Sequence, residues 1–131
     1  MQVDVASHVV EAMQREALAA YPREACGILL GESDRISEYV ATRNVHPTPN
    51  THFEIDPQAL IDAHRAARRG GAQVIGYYHS HPSGEAQPSM TDRAMASGDR
   101  RIWAILAEGS VRFWCDGPDG FAPLSYQVTG Q

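Results

Sequence analysis

Two histidines separated by one residue, His79 and His81, and a carboxylate beyond a short loop, Asp92, are side-chain types that bind a borderline metal ion. The run before them, QVIGYY at 73–78, is apolar and β-prone, as a buried strand should be. Side chains of a strand alternate faces with period two, so His79 and His81 point the same way. Pro82 stops the ladder, and Ser83-Gly84 opens a loop. Pro88 precedes Ser89-Met90-Thr91-Asp92, which reads as the start of a helix. A strand end and a helix start thus deliver two imidazoles and a carboxylate to one point. Three protein ligands leave a fourth tetrahedral position for water, the arrangement of a catalytic zinc, expected at one ion per chain.

Each of these residues also has a plainer use. Ser89-x-x-Asp92 resembles a capping box, with Ser89 as N-cap and Asp92 supporting the first turn. The two uses are compatible, because a carboxylate on a first helical turn can also point into a site. The Ser89 hydroxyl caps the helix or donates to the oxyanion formed when water attacks a carbonyl. Zinc lowers the pKa of its water from about 15.7 to roughly 7, and another group must accept and deliver the proton. Glu24, Glu32, Glu54, Glu85 and Glu108 are candidates. Glu24 sits just before the apolar strand ACGILL, where at a strand edge it could lie beside the histidine strand; position alone favours a plain surface carboxylate after Pro22-Arg23. A structural zinc would instead need a fourth ligand, and His46, His52 and Cys115 are available for that. A zinc deaminase would need H-x-E with P-C-x-x-C, and the chain has no C-x-x-C.

The elements that must position these groups follow from periodicity and turn chemistry. Residues 7–20 predict a helix with Ser7 as N-cap and Val10, Met13, Ala17 and Ala20 on one face. Residues 25–31 and 35–42 predict a strand hairpin turning through Glu32-Ser33-Asp34. Asp56-Pro57 starts a second helix that runs through Leu60, Ile61, His64 and Ala67 and is capped by Gly70-Gly71. A third helix begins near Ser89 and breaks at Gly98. Strands at 101–107, 111–116 and 121–128 form an antiparallel meander. The loops 43–52 and 83–88 are the expected walls of a groove, where Asn44, Asn50 and Glu85 are candidates to bind peptide amides. The class is mixed α/β, one domain over residues 1–131, with a mixed sheet flanked by two to three helices.

Composition narrows the partners. With 43% hydrophobic and 21% charged residues, the 131-residue chain is globular and can bury a core. A net charge of -5 argues against nucleic acid or an anionic membrane as the main partner. No apolar run approaches the ~20 residues of a membrane span, and MQVDVASHVV lacks the basic and apolar regions of a signal peptide. Cys26 and Cys115 read as two buried thiols in a reducing cytoplasm.

Together Glu24 in EACGILLG, His79-Ser80-His81-Pro82, Ser89 and Asp92 resemble the signature of the JAMM (MPN-plus) zinc metalloproteases. FEIDP at 53–57 and GYYHSHP at 76–82 extend the resemblance over most of the chain. The resemblance implies an MPN domain, a curved mixed sheet with helices on its faces and a cytidine-deaminase-like layout. It implies that His79, His81 and Asp92 bind zinc, that Glu24 is the general acid/base, and that Ser89 stabilises the tetrahedral intermediate. It further implies hydrolysis of a peptide or isopeptide bond after the C-terminal Gly-Gly of a ubiquitin-like or sulfur-carrier protein. Non-catalytic scaffold members typically lose ligands, and here every motif position is filled. The chain lacks the long insertions with which polyubiquitin-specific relatives hold a second ubiquitin.

Overall fold

The structure, a computed structural model, describes residues 2–130. In chain order the elements are β1 (Gln2–Ala6), α1 (Ser7–Ala20), β2 (Cys26–Glu32), β3 (Arg35–Thr42), α2 (Pro57–Arg68), β4 (Gln73–Ser80), α3 (Met90–Met95), β5 (Ile102–Ala107), β6 (Ser110–Gly117) and β7 (Gly120–Thr129). The strands are ordered β1-β3-β2-β4-β5-β6-β7, and β7 pairs back onto β1. The expected curved mixed sheet is thus curved to the point of closure. The β2–β3, β2–β4, β5–β6 and β6–β7 pairs are antiparallel, while β4–β5, β1–β3 and β1–β7 are parallel.

Alternation along the strands builds two cores. Leu29, Tyr78, Ile102, Ala104 and Phe113 face α1, which buries Val9 and Met13 against them. The intervening Ile28 and Trp103 face the opposite way, toward Ala59, Leu60 and Ala63 of α2. The fully buried Tyr78 hydroxyl donates to the Met13 carbonyl at 2.8 Å, fastening α1 to the strand that leads into the histidines. Glycine is required where strands crowd: a Cβ on Gly76 would stand 1.8 Å from the Ile102 carbonyl oxygen.

Two expectations change. The strand β1 was not anticipated, because QVDVA is short and its partners lie at residues 35–36 and 125–129. Since β1 runs straight into α1, Ser7 is the first helical residue; the cap is Ala6 and has no side-chain hydrogen bond. On α2, Asp56 caps as expected, accepting from the Gln58 N–H at 3.1 Å with Pro57 at the first position. Its packing stripe is Ala59, Leu60 and Ala63, and Ile61 is 47% exposed. Among the described residues, no helix is long and apolar enough to cross a membrane.

Candidate metal centre

The strand β4 carries His79 into the middle of the sheet, opposite Cys26 of β2 and Ile105 of β5. At its end and one residue beyond, the backbone stays pinned: Ser80 N–H donates to the Ala25 carbonyl at 3.0 Å and His81 N–H to the Leu106 carbonyl at 2.8 Å. The Ser80 hydroxyl accepts from Ala25 N–H at 2.8 Å, a second tie between the histidine segment and the residue after Glu24. The third candidate ligand arrives on α3. Ser89 Oγ accepts from Asp92 N–H and Asp92 Oδ2 accepts from Ser89 N–H, both at 3.0 Å. The capping box is therefore complete, and it aims the Asp92 carboxylate inward.

His79 Nε2, His81 Nε2 and Asp92 Oδ2 form a triangle whose three edges are all 3.1 Å. Ligand atoms about 2.0–2.1 Å from a tetrahedral zinc stand about 3.3–3.4 Å apart, so the triangle has the right size. Protonation agrees with this use. His81 Nδ1 lies 2.6 Å from the Glu85 carbonyl, which can only accept, so Nδ1 carries the hydrogen and Nε2 offers its lone pair to the triangle. Two imidazole nitrogens and a carboxylate oxygen converging this closely are satisfied together by one cation. Burial drives the His79 pKa down, against the opposing hydrogen bond to Asp92. For His81 burial acts in the same sense but is outweighed by hydrogen bonds to Asp92 and the Glu85 carbonyl, and its pKa rises. For Asp92 burial would raise the pKa, but the hydrogen bonds from His79 and His81 hold it well below the usual carboxylate range.

His79 is held differently from His81. Its ring is fully buried, and among the described residues Nδ1 has no hydrogen-bond partner. Its orientation comes from aromatic neighbours: Phe53 stacks on it at 4.2 Å and 15°, and Trp103 meets it edge-on at 5.6 Å and 87°. In the sequence Phe53 stood out only as the first residue of FEIDP, and Trp103 only as an apolar residue of a predicted strand.

Glu24 is buried and lines one cleft with His81, Ser89 and Thr91. The cleft measures about 380 Å³. Its walls come from the two predicted loops, Asn50 and Thr51 on one side and Ser83 to Pro88 on the other. The second wall is braced by Trp114 Nε1, which donates to the Ala86 carbonyl at 3.2 Å. Asn44 does not serve as a peptide contact, since its carboxamide is turned into the protein. His46 and His52 stack on each other at 4.6 Å, and the Cys115 thiol points to the Arg100 carbonyl. Among the described residues, the group formed by His79, His81 and Asp92 takes no fourth ligand from these three.

Burial, with a smaller contribution from Asp92, pushes the Glu24 pKa from 4.5 to about 7, while His81 pulls the other way. This has a stability consequence in the metal-free protein. The unfolded chain ionises Glu24 near 4.5 and the folded chain near 7, so ionisation opposes folding as the pH rises through that window. Metal-free Glu24→Gln is therefore expected to melt above wild type at about pH 8, with the gap closing toward pH ~4.5. Melting curves in a chelator at both ends of the window check this, and a gap equal at both ends contradicts it.

The chain matches the family of prokaryotic homologs of the JAB domain over residues 6–116. It is 31% identical over 109 residues to a desampylase of Haloferax volcanii, covering 82% of this chain and 78% of that one. A probable TtuB-protein conjugate cleaving protease of Thermus thermophilus is 36% identical over 84 residues, covering 64% of this chain and 56% of its own length. Protein DSY2949 from Desulfitobacterium hafniense superimposes with a TM-score of 0.86 at 25% identity, over 100% of this chain and 94% of that one.

Proposed function

Because the chain belongs to the prokaryotic homologs of the JAB domain, small members of the JAMM/MPN metalloproteases, we propose that it hydrolyses the peptide or isopeptide bond after the C-terminal Gly-Gly of a ubiquitin-like or sulfur-carrier protein. The observation that carries this reading is the 3.1 Å triangle of His79, His81 and Asp92 beside a buried glutamate in an open cleft. The relatives named as a desampylase and a TtuB-protein conjugate cleaving protease support it.

His79, His81 and Asp92 would hold one zinc ion. Bound there, zinc supplies a Lewis acid for the scissile carbonyl and brings the pKa of water down to about 7. Glu24 accepts the proton of the attacking water and returns it to the leaving amine, a task open to a buried carboxylate beside the triangle that, among the described residues, no hydrogen bond occupies. Ser89 Oγ accepts from Asp92 N–H, which leaves its own O–H free to donate to the developing oxyanion. A Gly-Gly tail has no side chains to clash with the loop walls, so it can thread the cleft in an extended form. Residues 1–131 act as one domain in this scheme, in a reducing cytoplasm that suits the free thiols of Cys26 and Cys115. A scaffold that bound zinc and a partner without catalysis would have no use for a carboxylate buried as Glu24 is.

The test is to incubate the zinc-loaded protein with sulfur-carrier proteins bearing either an extra C-terminal residue or a lysine-linked conjugate, and to read the products by mass. A carrier product ending in Gly-Gly is expected. Intact substrates from protein holding one zinc per chain would overturn the proposal.

A further inference from the structure

Asn44, in the loop after β3, uses its entire carboxamide inside the fold. Nδ2 donates to the carbonyls of Glu24 at 3.0 Å and His52 at 2.9 Å, with the Pro49 carbonyl further off at 3.4 Å. Oδ1 accepts from the N–H groups of His46 at 3.1 Å and Glu54 at 3.0 Å. A carboxamide has two donor hydrogens and two acceptor lone pairs, so no capacity is left over for a ligand.

The partners are the informative part. Glu24 lies before the first residue of β2, outside the sheet ladder. Its N–H donates to the Pro49 carbonyl at 2.7 Å and its carbonyl accepts from Asn44, so the loop 44–49 holds both polar groups of its backbone. Among the described residues, no hydrogen bond fixes the Glu24 carboxylate, so its placement is inherited from that backbone. His52 and Glu54 are the residues on either side of Phe53, the ring stacked on His79. One side chain therefore ties the backbone of the proton-handling residue to the ring that orients a metal ligand.

We propose that Asn44 is a positioning residue for the reaction, holding Glu24 in place directly and His79 through Phe53 while touching neither substrate nor metal. The assignment rests on the reading of Glu24 and of the metal centre given above. Asn44→Asp isolates it, because aspartate keeps the two acceptor bonds to His46 and Glu54 but loses both donors and sets a carboxylate against two carbonyls.

The experiment compares wild type, Asn44→Asp, Glu24→Gln and the double variant, all at saturating zinc. The probe is a ubiquitin-fold carrier protein whose terminal Gly-Gly carries 7-amino-4-methylcoumarin. Asn44→Asp is expected to lower kcat about tenfold or more with KM within about threefold, since a misplacement near 1 Å already weighs heavily on rate. In the Glu24→Gln background the same substitution should lower kcat by less than about threefold, because the two act through one group. Zinc affinity, read by competition with a chromophoric chelator, should fall about tenfold, the usual effect of disturbing a ligand's support. An unchanged kcat overturns the role toward Glu24, and an unchanged zinc affinity overturns the role toward His79. An equal loss of kcat in both backgrounds, or a variant that does not fold, makes Asn44 a folding residue and overturns the assignment. Glu24→Gln at wild-type kcat would overturn the underlying reading, whereas Asn44→Asp at wild-type kcat beside a crippled Glu24→Gln overturns this assignment alone.

Discussion

Glu24→Gln is expected to keep about one zinc per chain and to lose kcat by on the order of a hundredfold or more. Metal is retained because the triangle is closed by His79, His81 and Asp92 alone, and Glu24 is not among the atoms that converge there. Rate is lost because glutamine keeps the shape of the side chain and removes its basicity. The cleft offers no ready substitute. Glu85 lies on the opposite wall, where its side chain pairs with Gln87 and its carbonyl engages His81. Steady-state kinetics together with metal analysis of the same preparation check both halves. Wild-type activity in this variant would remove Glu24 from the mechanism.

The second large effect concerns the ligands. His81→Ala and Asp92→Asn are each expected to weaken zinc binding by more than roughly a hundredfold, beyond the 10–100-fold typical of outer partners. The two variants separate metal binding from folding. Asparagine at 92 keeps an oxygen that can accept from Ser89 N–H, so the capping box and α3 survive while the anionic ligand is gone. His81 sits just past the end of β4 and is only partly buried, so its truncation leaves no large cavity in the core. Chelator competition measures the loss of affinity, and circular dichroism verifies the fold. Full zinc occupancy in His81→Ala would sink the ligand assignment.

Much of the site was readable because its signals are local. The i, i+2 histidines on a β-prone run, the proline that ends it and the S-x-x-D box each depend on a few neighbouring residues, and β4 and α3 formed as those neighbours dictate. By position Glu24 was readable only as one carboxylate among several, and the family resemblance alone singled it out. Its place is set by the antiparallel register of Cys26 with His79, a pairing between residues more than fifty apart that no spacing rule contains. Asn44 and Phe53 were opaque for a related reason. A loop asparagine has no periodicity, and its worth lies in carbonyls that only the folded chain brings within reach. The strand β1 failed on the same ground, since its hydrogen bonds go to the far end of the chain.

That closure bears on how the molecule is made. The strand β1 is joined to β3 by two residue pairs and to β7 by five, from Gln2 with Ser125 to Ala6 with Thr129. Every residue proposed for the chemistry lies between 24 and 92, yet the first strand gains most of its partners only when the last one arrives. Contacts of such sequence separation are slow to form, because the closing loop is nearly the whole chain. A chain lacking β7 would still hold the ligands, the glutamate and the capping box, with β1 left on two pairs. The parts of the site thus lie earlier in the chain than the ten-residue strand that seals the barrel around them.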